Sequence, residues 1–188
     1  MTHIHAGPHG STPLGLEERD GLIRMYIATC DELNAAEQAN IAAAVLCFRR
    51  RRLTTGRVLH GLVVRSSHKA IYRDVWKWAD KYRRTERNIG VDLSIIAISV
   101  RDLVEDASSR AASEDTRLVR DQAVRLVRHR LGAIHPFPNA NGRHARTFAD
   151  LLMPRLGGDP LTWGATGIRA GPNRQAYLDA LRLVGCRL

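Results

Sequence analysis

The stretch HPFPNANGRHAR, from His135 to Arg146, combines a histidine, a turn and two arginines at helical spacing. A surface turn requires only residues such as Gly, Pro and Asn. Arg143 and Arg146 are three residues apart, so on a helix they share one face and could bind a single polyphosphate. If that helix begins near Asn141 or Gly142, its unpaired N–H groups and the positive end of its dipole also favour an anion. The stretch therefore predicts a phosphate-binding helix N-terminus.

A histidine directly before this anion site could act as a general base. The imidazole of His135, with an ordinary pKa of about 6.5, can accept a proton from a hydroxyl group at neutral pH. We expect Phe137 to turn inward and to fix the direction of the ring. Ala140 is small enough for the backbone to approach a ligand closely. A purely structural histidine at a helix end is the alternative, and the anion site downstream favours the base.

Helical periodicity places these residues between two helices of a mostly helical chain. Apolar residues recur at spacings of three and four in the segments 16–29, 31–52, 55–82, 98–112, 117–134, 142–158 and 173–185. Asp31 is a candidate N-cap, and Pro154 should kink or shorten its helix. Tyr72 and Trp76 are four apart and should pack in the core. The buried side of segment 117–134 is marked by Val119, Ala123, Val127, Leu131 and Ile134.

The predicted fold class is all-α, with at most one small β-hairpin. The segment RRTERNIGVDLS (83–94) breaks the periodicity and contains Asn88 and Gly90, which indicates a loop or a short hairpin. Residues 1–15 are rich in His, Gly and Pro and are predicted to form a flexible tail. Residues 16–188 are predicted to form one domain, because 188 residues that are 44% hydrophobic fit a single core.

The charge balance favours an anionic partner. The chain has 29 Lys+Arg against 19 Asp+Glu, a net charge of +10. The partner could be a nucleotide, a nucleic acid or an acidic protein. Because the arginines are spread along every segment, a general solubilising role is favoured over a dedicated nucleic-acid groove.

Cysteine usage and hydropathy indicate the compartment. Cys30, Cys47 and Cys186 form no C-x-x-C pair, which argues against a disulfide framework or a zinc cluster and predicts a reducing environment. The longest apolar run, 41–48, is too short to span a bilayer, and the N-terminus lacks the apolar stretch of a secretory signal. We therefore expect a cytoplasmic protein with no membrane partner.

The stretch HPFPNANGRHAR resembles the Fic/Doc motif, His-x-Phe-x-(Asp/Glu)-Gly-Asn-Gly-Arg-x-x-Arg. Upstream, YRDVWKWADKYRRTERNIGV is similar to the family segment that precedes and forms a target-docking flap, and LTWG and NRQAYLDAL resemble downstream family segments. Together they cover most of residues 30–182 and are most similar to the branch called mobile mystery protein B. The resemblance implies a Fic-like helical domain with a small β-hairpin flap at residues 83–91.

The resemblance implies a role for each motif residue. His135 would activate a Ser, Thr or Tyr hydroxyl of a target protein. Asn141, Gly142 and Arg143 would line the anion hole for the α- and β-phosphates, and Arg146 would hold the terminal phosphate. The implied reaction is that of a protein adenylyltransferase, which transfers AMP from ATP to a protein hydroxyl with Mg²⁺ and releases pyrophosphate.

Two motif positions depart from the family pattern. The acidic magnesium ligand is replaced by Asn139, whose amide oxygen brings no negative charge, so weaker metal binding is expected. Ala140 replaces the first glycine of the phosphate-binding loop, which costs little at a negative φ and more at a positive φ. Doc-type members, which transfer a γ-phosphate, tolerate this alanine but replace the next glycine by lysine. Gly142 is retained here, which favours AMP transfer.

The resemblance also implies how the flap and a regulatory helix work. The flap would pair with a target through its main chain, with Ile89 as a side-chain clamp, Thr85 as an edge residue, and Asn88 and Gly90 as further flap residues. Many Fic proteins carry an inhibitory helix with the pattern (Ser/Thr)-x-x-x-Glu-(Gly/Asn), whose glutamate pairs with the second motif arginine.

NAAEQAN is a partial match to this inhibitory pattern. Glu37 supplies the glutamate, whereas Leu33 and Gln38 stand at the other two positions. Glu37 is therefore an inhibitory candidate that would pair with Arg146. The alternative is an exposed glutamate on a surface helix.

Three functions stay open. A Fic-type AMP transferase is favoured, and a Doc-like protein kinase that transfers phosphate from a nucleotide is the second. The third is a catalytically weak Fic scaffold, disabled at Asn139, that acts as a basic binding module for nucleic acid or a partner protein. Intact His135, Arg143 and Arg146 argue against the third, because a binding module has no use for a base.

Overall fold

The computed structural model describes residues 20–24, 26–50, 54–113, 117–159 and 161. The predicted tail (1–15) and the predicted helix at 173–185 lie outside the described residues. The α-helices are α1 Cys30–Arg50, α2 Thr55–Val58, α3 Gly61–Tyr72, α4 Ile96–Ser113, α5 Arg117–Ile134 and α6 Asn141–Leu152. Short 3-10 helices, Leu93–Ile95 and Met153–Leu156, precede α4 and follow α6. The all-α prediction is confirmed.

Helix α1 is capped by a reciprocal pair of side chains. Thr29 Oγ1 accepts the Glu32 N–H at 3.3 Å, and the Glu32 carboxylate accepts the N–H groups of Thr29 at 3.0 Å and Ala28 at 2.8 Å. This Thr-x-x-Glu pattern satisfies N–H groups that a helix start leaves unpaired. The predicted cap at Asp31 was therefore wrong, since Asp31 lies in the first turn. The described part of the predicted helix 16–29 is irregular chain.

The predicted helix 55–82 is divided into α2, α3 and a turn-rich segment. His60 has an extended backbone, and its Nδ1 accepts the Leu62 N–H at 3.2 Å, which caps α3. Beyond Tyr72 the chain turns, and Trp76 forms an isolated antiparallel bridge with Leu22. Tyr72 and Trp76 are 0% and 2% exposed, so their prediction as core residues is confirmed even though Trp76 is not helical.

The main apolar core lies where α5 packs against α4 and α6. Four of the five residues predicted on the buried side of α5 are at most 1% exposed, namely Ala123, Val127, Leu131 and Ile134. Val119 is partly buried. Helix α6 buries Phe148 and Leu152 in the same core. The shortening predicted at Pro154 is confirmed, because α6 gives way to a 3-10 helix that ends at Gly157 with φ 74°.

A second apolar cluster joins α1 to the turns after α3. Its members are Ile27, Leu33, Ala44, Ile71, Tyr72, Val75, Trp76, Trp78, Ala79 and Ala140. Phe137 belongs to the main core, whereas Ala140 belongs to this second cluster. The loop between α5 and α6 is thus buried in both clusters at once.

The flap (residues 83–91) is an irregular loop and not the predicted β-hairpin. No strand is assigned anywhere in the described ranges. The two ends of the flap form no backbone ladder with each other, because the backbone N–H groups of Arg83 and Val91 donate to the Pro136 and Ile134 carbonyls.

None of the helices in the part of the chain that the structure describes is long and apolar enough to cross a membrane.

Two histidines are buried beneath the α5–α6 loop. His68 and His144 are both 0% exposed. His144 Nε2 lies 2.8 Å from the Ser67 hydroxyl, and His68 Nδ1 accepts the Asp80 N–H at 3.1 Å. Burial lowers the pKa of His144 to about 3. Burial, and then the nearby His144, lower the pKa of His68 well below 6.5. Both rings are neutral in the folded protein at neutral pH.

The folded protein should therefore lose stability as the pH falls below about 6.5. The unfolded chain protonates these histidines there, whereas folded His144 stays neutral until the pH approaches about 3. Each such histidine lowers the unfolding free energy by about 1.4 kcal/mol per pH unit. Urea unfolding at several pH values measures how the unfolding free energy changes with pH. His144→Gln should lower this slope by the contribution of one histidine. Equal slopes for the parent and the variant would contradict the prediction.

Candidate functional site

The loop from His135 to Ala140 begins and ends with a residue in the left-handed region. His135 has φ 52° and Ala140 has φ 62°. The His135 N–H donates to the Leu131 carbonyl at 3.2 Å and closes α5, and the Ala140 carbonyl accepts the His144 N–H at 2.9 Å and opens α6. Ala140 therefore carries the cost that a positive φ imposes on a residue with a Cβ atom, about 1–2 kcal/mol.

Asn141 holds the loop closed from inside. Its Oδ1 accepts the Phe137 N–H at 2.9 Å, and its Nδ2 donates to the Phe137 carbonyl at 2.8 Å. The residue is 2% exposed. Because both ends of the amide bind Phe137, the side chain of Asn141 shapes the loop. Its contribution to the expected anion hole would come from the backbone N–H.

Phe137 turns inward as predicted and is 0% exposed. Its ring stacks on His68, with 3.7 Å between the ring centroids and 16° between the planes. The His144 ring packs edge-on against Phe137, with 5.2 Å between the ring centroids. The buried imidazoles of His68 and His144 thus pack against the inner side of the loop through Phe137.

His135 has an unpartnered ring nitrogen in a largely buried position. The residue is 8% exposed, and its Nε2 has no hydrogen-bond partner among the described residues. Burial, followed by the positive charges of Arg83 and Arg87, lowers its pKa to about 4, while a hydrogen bond to the backbone of Gly132 acts in the opposite direction. The ring is therefore neutral at neutral pH and can accept a proton.

Asn139 offers little to a metal ion. Its Oδ1 accepts the Ala140 N–H at 2.5 Å, so the expected ligand oxygen is engaged with the backbone. Across the described ranges, no group of three or more His, Cys, Asp or Glu side chains is placed to hold a metal. A Mg²⁺ ion here would depend mainly on oxygens that a nucleotide supplies.

The first two turns of α6 carry the two predicted arginines. Gly142 and Arg146 are exposed, and the Arg143 side chain is 28% exposed. Arg146 Nε donates to the Gly142 carbonyl at 3.3 Å. A Cβ atom at Gly142 would meet nothing within 4 Å, so there is open space over this turn. The start of α6 thus faces open space at Gly142, and the exposed Arg146 side chain binds the carbonyl of that residue.

Glu37 is a buried partner of this turn and not an exposed surface residue. It is 2% exposed, and its Oε1 accepts the Trp76 Nε1–H at 2.8 Å. Its Oε2 forms an ion pair with Arg143, to which Asn34 also binds at 3.3 Å. The expected pairing with Arg146 was therefore wrong, because the Trp76 hydrogen bond holds the carboxylate beside Arg143.

Two residues near the arginines were missed from the sequence. Trp76 positions Glu37, and the Tyr72 hydroxyl is buried without a hydrogen-bond partner in the described part of the chain. Burial raises the pKa of Tyr72, while Arg143 and Arg146 act in the opposite direction. Aromatic residues at helical spacing predict core packing, so the sequence contained no signal for their polar atoms.

The flap contacts the loop of His135 directly. Thr85 and Asn88 are exposed, whereas Ile89 is 6% exposed and has little surface left to clamp a target. Gly90 has φ 137° and lies against Arg83 and His135. Arg83, which the sequence did not distinguish from the other arginines, is buried between them.

No protein-family model matches the sequence, and no curated protein matches it. Solved structures do match. BepC from Bartonella tribocorum, with bound AMPPNP, has a TM-score of 0.66 and 15% identity over 89% of this chain and 91% of that chain. The N-terminal Fic domain of a putative cell filamentation protein from Bartonella quintana, with bound ADP, has a TM-score of 0.65 and 14% identity over 90% of each. The chain has a Fic-domain fold.

A third match gives the same Fic fold. The N-terminal FIC domain of Bep8 from Bartonella sp. 1-1C has a TM-score of 0.66 and 15% identity over 96% of this chain and 87% of that chain. The fold agrees with the motif resemblance of the sequence. The mobile mystery protein B branch stays a prediction.

The two hydrogen bonds between the Asn141 side chain and Phe137 can be tested by one substitution. In Asn141→Asp, one oxygen still accepts the Phe137 N–H, but the other faces the Phe137 carbonyl without a proton. We expect a loss of about 1–3 kcal/mol in unfolding free energy at neutral pH, which shrinks at low pH as the new carboxyl becomes protonated and donates. Asn88→Asp, at an exposed position, is the matched control. A pH-independent difference from the parent would argue against this hydrogen-bonding arrangement.

Proposed function

We propose that the protein is an adenylyltransferase that transfers AMP from ATP to a Ser, Thr or Tyr hydroxyl of a target protein. The observation that carries the proposal is the unpartnered Nε2 of buried His135, which directly precedes a helix start bearing Arg143 and Arg146. Matching Fic domains with bound AMPPNP or ADP support a nucleotide as the anion.

In the proposed AMP transfer, His135 and the two arginines have different roles. The target hydroxyl gives its proton to His135 Nε2 as its oxygen bonds to the α-phosphorus. The bond from that phosphorus to pyrophosphate breaks, and His135 later releases its proton to solvent. Arg143, Arg146 and the N–H groups at the start of α6 neutralise phosphate charge before and during transfer. Mg²⁺ held mainly by nucleotide oxygens would add charge neutralisation, and Asn139 would be at most a weak, neutral ligand.

Transfer of a γ-phosphate is the second candidate. The specific feature that favours it is Ala140, which Doc-type proteins also tolerate, whereas Gly142 favours AMP transfer. The third candidate, a scaffold without activity, leaves the unpartnered base of His135 unexplained.

ATP labelled separately at the α- and γ-positions distinguishes the three candidates. In the presence of cell lysate, the α-label should enter protein and the γ-label should not. Entry of the γ-label would establish phosphate transfer in place of AMP transfer. Absence of both labels from protein would favour the scaffold.

His135→Asn tests the base without straining the loop, because asparagine tolerates a positive φ. We expect α-label transfer to fall by about 10²–10⁴-fold, since the amide cannot accept the proton at neutral pH. ATP binding, measured by calorimetry, should persist because the arginines are unchanged. Full transfer activity in this variant would exclude His135 as the base.

The Glu37–Arg143 pair should compete with a bound phosphate. A phosphate that binds Nη1 of Arg143 displaces the Glu37 carboxylate from it, so we propose that Glu37 restrains the site through Arg143. Glu37→Gln removes the negative charge but keeps an oxygen for Trp76. A pair worth about 1 kcal/mol predicts about fivefold tighter ATP binding in this variant, with a comparable rise in self-modification at low ATP.

The control for Glu37 is Glu105→Gln, which removes the same charge at an exposed position of α4. ATP affinity and self-modification should match the parent there. If Glu37→Gln binds ATP no more tightly than Glu105→Gln, Glu37 only supports packing, and restraint at Arg143 is excluded.

A further inference from the structure

The flap is hydrogen-bonded to the backbone on both sides of His135. The Arg83 N–H donates to the Pro136 carbonyl at 2.9 Å, and the Val91 N–H donates to the Ile134 carbonyl at 3.3 Å. The carbonyl of His135 itself accepts from Arg83 Nε at 2.8 Å. Three consecutive carbonyls, at the base and its two neighbours, therefore bind the two ends of one loop.

One buried guanidinium closes this arrangement. The Arg83 side chain is 0% exposed. Besides the His135 carbonyl, Nη2 donates to the Val91 carbonyl, and Nη1 donates to the Thr85 carbonyl at 3.2 Å and to the Glu86 carboxylate at 3.3 Å. Arg83 thus binds the start of the flap, the end of the flap and the base with a single planar group, a geometry that lysine cannot reproduce.

Gly90 shows how closely the three parts fit. A Cβ atom at Gly90 would lie 2.6 Å from Arg83 Nη2 and 3.2 Å from His135 Cβ. The flap backbone therefore touches both the guanidinium and the base residue. A shift of the flap must move Arg83, and a shift of Arg83 releases the His135 carbonyl.

We propose that Arg83 is a positioning residue that fixes the catalytic base relative to the flap. The inference rests on the proposed function and adds a residue to it. His135 has a left-handed backbone, which persists only where its surroundings hold it. A target that pairs along the flap has its hydroxyl placed at a fixed position relative to the flap. Arg83, the first residue of the flap, binds the His135 carbonyl, so its side chain is one of the contacts that set the distance between the hydroxyl and Nε2 of His135.

The charge of Arg83 provides a readout that packing alone would not change. After burial, the positive charges of Arg83 and Arg87 contribute to the low pKa of His135, about 4, and both disfavour the protonated ring. Glu86 is the acidic group paired with Arg83. A neutral side chain at position 83 should therefore raise the pKa of His135.

The activity test compares Arg83→Met, Arg83→Lys and Arg101→Met. Arg101 lies on α4 with a 61% exposed side chain, so its variant controls for the loss of one charge. With saturating α-labelled ATP and lysate protein as acceptor, we expect Arg83→Met to lower the transfer rate on the order of 10²-fold, the effect of a slight misplacement. The transfer rate of Arg83→Lys should lie between those of Arg83→Met and the parent. ATP affinity should stay within about twofold of the parent, since no phosphate-binding group is altered.

A second measurement stands apart from activity. The His135 ring is titrated by NMR in the parent, in Arg83→Met and in Arg101→Met, after thermal unfolding has confirmed that each is folded. An upward shift of the His135 titration in Arg83→Met alone, with faster hydrogen exchange of the Val91 amide, supports the proposal. An unshifted titration with unchanged exchange overturns it, as does a transfer rate within twofold of the parent.

These outcomes separate the two proposals. If the parent transfers no label, the proposed function fails, and the NMR arm still decides whether Arg83 positions His135. If Arg83→Met lowers ATP affinity as much as the transfer rate, the residue supports the nucleotide site instead, and the proposal is overturned.

Discussion

The left-handed backbone at His135 and Ala140 is the constraint on which the candidate site depends. These two residues set the directions in which the chain leaves α5 and enters α6, with φ angles of 52° and 62°. Each conformation costs a residue with a Cβ atom about 1–2 kcal/mol, so neighbouring contacts must hold the loop in place. Asn141 binds Phe137 from within, His68 stacks beneath it, and Arg83 binds the His135 carbonyl from outside. Several independent contacts therefore hold the loop conformation by acting on a few residues.

The buried histidines connect this loop to the rest of the fold. His68 stacks on Phe137 and accepts the Asp80 N–H, which ties the turn after α3 to the loop. His144, one turn into α6, reaches Ser67 on α3. Neutral imidazoles suit this role, because each presents a flat face for packing and a polar edge for hydrogen bonding. The same burial that stabilises the loop at neutral pH makes the fold sensitive to acid.

Periodicity was a reliable guide to the long helices and a poor guide to everything that depends on local hydrogen bonds. The buried side of α5 and the change at Pro154 follow from apolar spacing and from proline geometry. The N-cap of α1 does not follow from such patterns, because Thr29 and Asp31 are both acceptable caps. The hydrogen bonds between Thr29 and Glu32 select Thr29. The break after Tyr72 also escapes a pattern whose apolar residues continue at helical spacing.

The candidate site shows the same division. His135, Arg143 and Arg146 could be proposed as a group because a histidine, a turn and paired arginines adjoin in sequence. Arg83 lies 52 residues before His135, and nothing in an arginine-rich chain marks which arginine is buried. Glu37 could be identified, but its partner could not, since the choice between Arg143 and Arg146 depends on where Trp76 holds the carboxylate.

Positive charge has two opposing effects at this site. The arginines and the start of α6 attract an anion, and Arg83 and Arg87 contribute to a pKa of about 4 at His135, which makes the free ring a weak base. Glu37 offsets part of this charge at Arg143 when no phosphate is bound. A polyphosphate bound near His135 would add negative charge, which raises the pKa of an imidazole close to it. If His135 is the proposed base, it would then be a stronger base with the nucleotide bound than without it, because the same charges affect phosphate binding and proton acceptance.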